Sequence, residues 1–85
     1  MQSDNPAAAR RLKVVAEADP GALVRVLQFF QGRNIVPRRA HGLRIAREIL
    51  EIEVEVDAAD CTEEAFRAVV AKVDQLPIVI AAVVY

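Results

Sequence analysis

The feature that most limits the fold is an unbroken alternation over residues 50–56, Leu-Glu-Ile-Glu-Val-Glu-Val. A period of two places successive side chains on opposite faces of a β-strand. The segment therefore predicts a strand with one apolar face and one acidic face. Glutamates in a row on one face repel each other unless neighbouring strands supply cations.

A similar alternation predicts a first strand over Leu12–Ala18, which stops at the sequence Asp-Pro-Gly. Asp19 is a good helix N-cap, and Pro20 suits a first helical position. Gly32 is placed where a helix ends through a left-handed residue. The helix predicted between them buries a stripe made of Leu23, Val26, Leu27 and Phe30.

The second strand is predicted over Asn34–Ala40. It contains Pro37, which cannot donate to a sheet ladder, so this strand is expected at an edge. Residues 41–45 are interpreted as a hairpin connection leading to the alternating strand.

After the alternating strand, Asp60 predicts a second helix, with Glu63 completing a capping box. Pro77 ends this helix, and Ile78–Tyr85 form a last strand that is apolar on both faces. The helix buries one stripe, which consists of Ala65, Phe66, Val69, Val73 and Leu76.

The order βαββαβ predicts an α+β, ferredoxin-like sandwich, a four-stranded antiparallel sheet with both helices on one face. The third strand then lies between the first and the second. Its glutamates, Glu51, Glu53 and Glu55, would face Lys13 on one side and Arg38 or Arg39 on the other. This fit also explains why residues 1–47 carry a net charge of +6 and residues 48–85 one of −7.

Composition limits the function classes. The chain has 85 residues, enough for one domain, and 54% of them are hydrophobic, which excludes disorder for most of its length. A net charge of −1 provides no general attraction for nucleic acid or anionic lipid. One cysteine forms no internal disulfide, and no apolar stretch approaches a membrane span. We expect a cytoplasmic protein with a flexible arm over residues 1–11 and one domain over 12–85.

No catalytic, metal-binding or cofactor-binding arrangement is predicted. His41 has no nucleophile or carboxylate placed to work with it and is interpreted as a solvated loop residue. Cys61 lacks a second cysteine or a base and is interpreted as an ordinary thiol. The glutamate row has basic neighbours that explain it without a metal. RNA binding is disfavoured because glutamates occupy the strand that carries stacking aromatics in RNA-binding domains of this layout.

The corner between the first strand and the first helix has features that could bind a ligand. Backbone N–H groups at a helix start attract carboxylates, and Gly21 permits close approach to the backbone. Asn34 offers an amide that donates and accepts. Together these groups could hold a free amino acid, although Asp-Pro-Gly is also ordinary turn chemistry.

At these residues the chain resembles an ACT domain, a small ligand-sensing module of amino-acid-pathway enzymes. The resemblance is carried by residues 18–23, Ala-Asp-Pro-Gly-Ala-Leu, and by residues 32–35, Gly-Arg-Asn-Ile. It implies an effector bound between paired domains, against the glycine-containing loop of one copy and the second-strand asparagine of the other. The site residues that it implies are Asp19, Pro20, Gly21, Ala22, Leu23, Asn34 and Ile35.

Among such domains the chain is similar to the short regulatory subunit of acetolactate synthase, with Val70–Val79 resembling that subunit's closing helix and strand. The resemblance implies a non-catalytic subunit that binds a large synthase subunit. The implied effector is valine, isoleucine or leucine.

Surplus apolar surface, from Ile78–Tyr85 together with Val24 and Phe29, supports a homodimer. A structural subunit that stabilises a partner enzyme without binding an effector is the alternative. A small enzyme of this fold is a third class, for which no catalytic residues are found.

Overall fold

The computed structural model describes residues 8–85. Its elements follow the predicted order. They are β1 (Ala9–Glu17), α1 (Ala22–Gln31), β2 (Arg39–Ala46), β3 (Ile49–Asp57), α2 (Glu63–Asp74) and β4 (Val79–Val84). The strands form one antiparallel sheet in the order β2-β3-β1-β4, so the ferredoxin-like fold is confirmed. β1 begins three residues before its predicted start, and residues 1–7 of the predicted arm lie outside the described residues.

The core lies between the helices and one face of the two central strands. Every second residue is buried from Leu12 to Ala16 in β1 and from Ile52 to Val56 in β3, as their alternation predicts, and each helix contributes one stripe. The rings of Phe30 and Phe66 meet across this core with centroids 6.3 Å apart. The fully buried side chains include Leu12, Val14, Val26, Phe30, Ile52, Val54, Val56, Val69 and Val73.

The opposite face of the sheet carries the predicted ionic row. Glu53 lies 3.6 Å from the Lys13 Nζ atom, and the Glu55 carboxylate lies 3.4 Å from the guanidinium of Arg38. Arg11 also reaches Glu55 at 3.4 Å, and the His41 Nε2 atom lies 3.3 Å from Glu53. The prediction of cations on both sides of the row is confirmed by Lys13 on β1 and by Arg38 directly before β2, and Arg11 adds a third cation.

The prediction for the second strand was wrong in position. β2 covers Arg39–Ala46 instead of 34–40, and residues 41–45 lie inside it, with Gly42 opposite Ile52. The hairpin turn is Arg47-Glu48, which contains neither glycine nor proline and so gave no turn signal. His41 is therefore a strand residue. The edge position was correct, and all eight residues of β2 are exposed.

Several helix-end predictions were also wrong. α1 begins at Ala22 and is capped at Gly21 without a side-chain hydrogen bond, so Asp19 is not its N-cap and Pro20 is not its first residue. α2 is capped by Thr62, whose Oγ1 accepts from the Ala65 N–H at 3.1 Å, so Asp60 is not the cap and Glu63, the first helical residue, completes no capping box with it. Gly32 has a φ of −62°, so it is not the left-handed residue.

Candidate ligand-binding site

The corner that precedes α1 is held by the side chain of Asp19. Its Oδ1 atom accepts a hydrogen bond from the Gly21 N–H at 2.7 Å, and its carbonyl accepts one from the Ala22 N–H at 3.0 Å. A Cβ added at Gly21 would lie only 3.3 Å from that Oδ1 atom. Gly21 is therefore suited to the close approach of the Asp19 side chain.

A shallow cavity of about 320 Å³ lies beside this corner. Three predicted site residues line it, namely Asp19, Pro20 and Leu23. Ala22 is instead fully buried in the core. The remaining lining residues are Ala18, Arg44 and Leu50. The corner is thus an accessible concave surface with an apolar wall.

Arg44 and Leu50 were not predicted as site residues. They reach the corner because they face each other across the β2–β3 ladder. Only the correct register of β2 identifies Arg44, and the sequence had suggested a connection there. The unbroken alternation of β3, which continues from Leu50, did place Leu50 in a strand.

A second cavity of about 490 Å³ adjoins the first. It is lined by Glu17, Ala18, Arg44, Arg47, Glu48 and Ile49. Ala18 and Arg44 line both cavities, so the two are neighbours at this end of the sheet and are together called the cleft. The cleft is apolar near α1 and charged near the β2–β3 turn.

Asn34 and Ile35 lie at the opposite end of α1. Asn34 has a φ of +60°, and its N–H donates to the Gln31 carbonyl while the Ile35 N–H donates to the Phe30 carbonyl. This pair of bonds is a Schellman motif, in which a left-handed residue ends the helix. Asn34 therefore does the structural work that the sequence had assigned to Gly32.

The structure does not bring Asn34 near Gly21 within one chain. The ten residues of α1 separate them, a length of about 15 Å at 1.5 Å per residue. Asn34 and Ile35 instead line a groove of about 520 Å³ together with residues 36–40, Leu27 and Gln31. Joining the two predicted halves of the site requires a second copy of the chain.

Two ionisable groups outside the cleft have shifted pKa values. Burial raises the pKa of the Cys61 thiol, which is only 4% exposed. The Ala59 N–H and the Arg38 guanidinium, which both bond the Asp57 carboxylate, lower the pKa of that group. A thiol with a raised pKa is a poor nucleophile.

Within residues 8–85 no group of three or more His, Cys, Asp or Glu side chains is arranged to hold a metal ion. The described part of the chain also has no helix that is long and apolar enough to cross a membrane.

No model of a protein family and no curated protein matches the sequence. Solved structures do match the fold. The ACT domain of GTP pyrophosphokinase from Chlorobium tepidum superposes with a TM-score of 0.75 at 9% identity, covering 91% of this chain and 96% of that one. The regulatory subunit of aspartate kinase from Thermus thermophilus gives 0.69 at 14% identity, covering 92% of this chain and 50% of that subunit.

The C-terminal domain of the MgtC protein from Mycobacterium tuberculosis is a further match. It has a TM-score of 0.74 and 16% identity, and the match covers 98% of this chain and 92% of that domain. These comparisons establish that the chain has the fold of ACT domains. They do not show a similarity to acetolactate synthase subunits.

Proposed function

We propose that this chain is a non-catalytic regulatory domain that binds a small amino acid at the cleft beside Asp19, Pro20 and Leu23. The observation that carries the proposal is the cleft itself, which joins an apolar wall to a charged wall at the corner singled out by the sequence motif. A free apolar amino acid has the same division between an apolar side chain and a charged head. The ACT fold of the structural neighbours, two of which are described as an ACT domain and a regulatory subunit, supports the same function.

The proposed complex contains two copies of the chain. Asn34 lies about one helix length from the corner of its own chain, so it contributes to an effector site only from a partner copy. Ligand that bridges two copies favours the paired form by its differential affinity for that form. Exposed apolar side chains on β2 and β4, such as Leu43, Ile80 and Val83, support pairing.

The test is isothermal titration calorimetry of the whole chain with valine, isoleucine and leucine, combined with sedimentation velocity at several protein concentrations. We expect heat of binding for at least one amino acid and a monomer–dimer equilibrium that this amino acid shifts towards the dimer. A chain that sediments as a monomer with and without each amino acid, and gives no heat, contradicts the proposal.

The regulated enzyme that we propose is one of amino-acid biosynthesis, such as acetolactate synthase. The support is the resemblance of residues 18–23 and 32–35 to ACT-domain motifs and of residues 70–79 to the short synthase subunit. Purified large catalytic subunit should show changed activity when this chain is added, and the change should depend on branched-chain amino acid. Unchanged activity of the catalytic subunit at a saturating concentration of this chain excludes acetolactate synthase as the partner.

The second candidate is a structural subunit that stabilises a partner without binding an effector. The exposed apolar residues of β4 favour it, because such a surface suits any protein partner. This candidate predicts dimerisation or partner binding without any response to amino acids. The calorimetric titration therefore separates the two candidates.

A further inference from the structure

Four charged side chains surround the larger part of the cleft. Glu17 ends β1, Arg44 lies near the end of β2, and Arg47 with Glu48 forms the turn into β3. Within residues 8–85 none of these four side chains forms an ion pair. All four residues are exposed, so two cations and two anions line one cavity without being paired with each other.

The backbone fixes this arrangement. Glu17 is opposite Ile49 in the β1–β3 ladder, which brings the end of β1 beside the β2–β3 turn. The Ala18 N–H then donates to the Glu48 carbonyl at 3.0 Å and joins the two segments. Glu17 and Arg44 thus stand on hydrogen-bonded strands, which position side chains better than free loops do, and Arg47 and Glu48 lie in the two-residue turn between β2 and β3.

The guanidinium of Arg44 is oriented by the same turn. Its Nε atom donates to the Arg47 carbonyl at 2.8 Å, and its Nη2 atom donates to the same oxygen. A guanidinium has five N–H donors, so three remain, including a pair on Nη1 and Nη2 that forms a fork. Such a fork matches the two oxygens of a carboxylate.

Arg44 also marks the boundary between the two parts of the cleft. On its other side lie Leu23, Leu50 and Pro20, which line the apolar part. The two cavities, about 490 and 320 Å³, each fall within the usual 300–1,000 Å³ of small-molecule sites.

We propose that this cleft holds the head group of a free apolar amino acid, with the α-carboxylate on the Arg44 fork and the ammonium group on Glu17 and Glu48. Arg47 adds positive charge beside the carboxylate, and the ligand side chain lies against Leu23 and Leu50. The inference rests on the proposed amino-acid binding. It adds the residues that recognise the zwitterion and a selectivity for apolar amino acids over acidic or basic ones.

The experiment is calorimetric titration of the whole chain with three probes, namely leucine, isoamylamine, which lacks the carboxylate, and 4-methylpentanoate, which lacks the ammonium group. The proteins are the unchanged chain, Arg44→Gln, Arg44→Lys, Glu17→Gln and the control Arg67→Gln. Arg67 lies on α2 and pairs with Glu63, so its substitution removes one guanidinium far from the cleft. Thermal melting confirms that each variant is folded.

We expect Arg44→Gln to weaken leucine binding about 10- to 100-fold, the usual loss for a charge-assisted hydrogen-bonded pair. Arg44→Lys keeps the charge but not the fork, so its affinity for leucine should lie between those of Arg44→Gln and the unchanged chain. Glu17→Gln should weaken leucine binding and leave 4-methylpentanoate unaffected. Arg67→Gln should bind as the unchanged chain does.

Leucine binding that is equally tight in Arg44→Gln and Arg67→Gln overturns this inference and leaves the proposed function intact, since the head group then lies elsewhere. Isoamylamine and 4-methylpentanoate that bind as tightly as leucine also overturn it. Absence of binding of leucine, isoleucine and valine to the unchanged chain overturns both the inference and the proposed function.

Discussion

Helix α1 has a glycine and a small polar residue at each end, Asp19 and Gly21 at its start and Gly32 and Asn34 at its end, and the two ends use them differently. At its start, the Asp19 side chain bonds the Gly21 N–H in an exposed corner beside the charged cleft. At its end, Asn34 holds a left-handed backbone, and Ile35 directly after it is buried. The first end leaves side chains accessible in the cleft where we propose that a ligand binds, whereas the second end closes the helix. A binding role can therefore be assigned to a turn residue only when its φ angle and its burial are known.

The largest expected effect tests the burial difference between the two ends. Ile35→Ala removes a side chain that is only 6% exposed, and we expect it to lower the free energy of unfolding by about 2–5 kcal/mol. Leu23→Ala, at the half-buried start, should cost about 1 kcal/mol. Urea denaturation measures both. Equal losses would show that the corner is as much a part of the core as the helix end.

Asn34 provides the next test, because its backbone and amide roles can be separated. Asn34→Ala keeps a β-carbon in the left-handed region but loses the short amide that makes asparagine tolerant of it, and should cost about 1 kcal/mol of unfolding free energy. Asn34→Gly removes the amide and accepts the same φ, so its unfolding free energy should stay within about 0.5 kcal/mol of the unchanged chain. Urea denaturation gives both values.

The glycine variant is therefore the one to use for ligand binding. A loss of amino-acid affinity in Asn34→Gly at unchanged stability would give the helix end a second role in binding from a partner copy. Unchanged affinity would leave it as a helix terminator alone.

Asp19 tests the other end with a smaller expected effect. Asp19→Ala deletes the acceptor of the Gly21 N–H and should lower the unfolding free energy by about 1 kcal/mol. Asp19→Asn keeps an oxygen acceptor and should lower the unfolding free energy by only about 0.3 kcal/mol. If both variants are as stable as the unchanged chain in urea, the corner is held by Pro20 and the backbone, not by this side chain.

The parts of the fold that were predictable are those in which one physical signal dominates. Burial on one face gives β1 and β3 a period of two, and the stripes of both helices follow from the same burial. β2 gave no such signal, since an exposed edge strand such as Arg39–Ala46 needs no apolar face. Its turn, Arg47-Glu48, is set by pairing with β3 and not by turn residues.

The residues of the candidate site likewise differ in how far the sequence could predict them. Asp19, Pro20 and Leu23 were found because they are contiguous and carry a motif. Arg44 joins them only through the β2–β3 register, a long-range property that local residue patterns do not contain. Asn34 fitted the motif, but its positive φ depends on how the chain leaves α1. Local residue patterns thus identified the corner, whereas the β2–β3 register was needed to place Arg44 in its charged wall.

The smallest effect is expected from a comparison of Asp19 with Asp57. Each side chain accepts a hydrogen bond from the backbone N–H two residues ahead, and for Asp57 the donor is Ala59 at 2.9 Å. Asp57 also bonds Arg38 at 3.1 Å, and together these contacts hold the pKa of its carboxyl below the ordinary value of 3.8. A lowered folded-state pKa stabilises the fold above the unfolded value, and this stabilisation is lost as the pH falls through the folded value. Asp57→Asn should therefore be less stable than the unchanged chain at neutral pH, and the gap should narrow once the pH drops below 3.8. Chemical denaturation across an acid series measures this gap, with Asp19→Asn as the control. A gap that is constant down to the lowest pH would assign the stability of this turn to the hydrogen bond with Ala59 and not to the charge on Asp57.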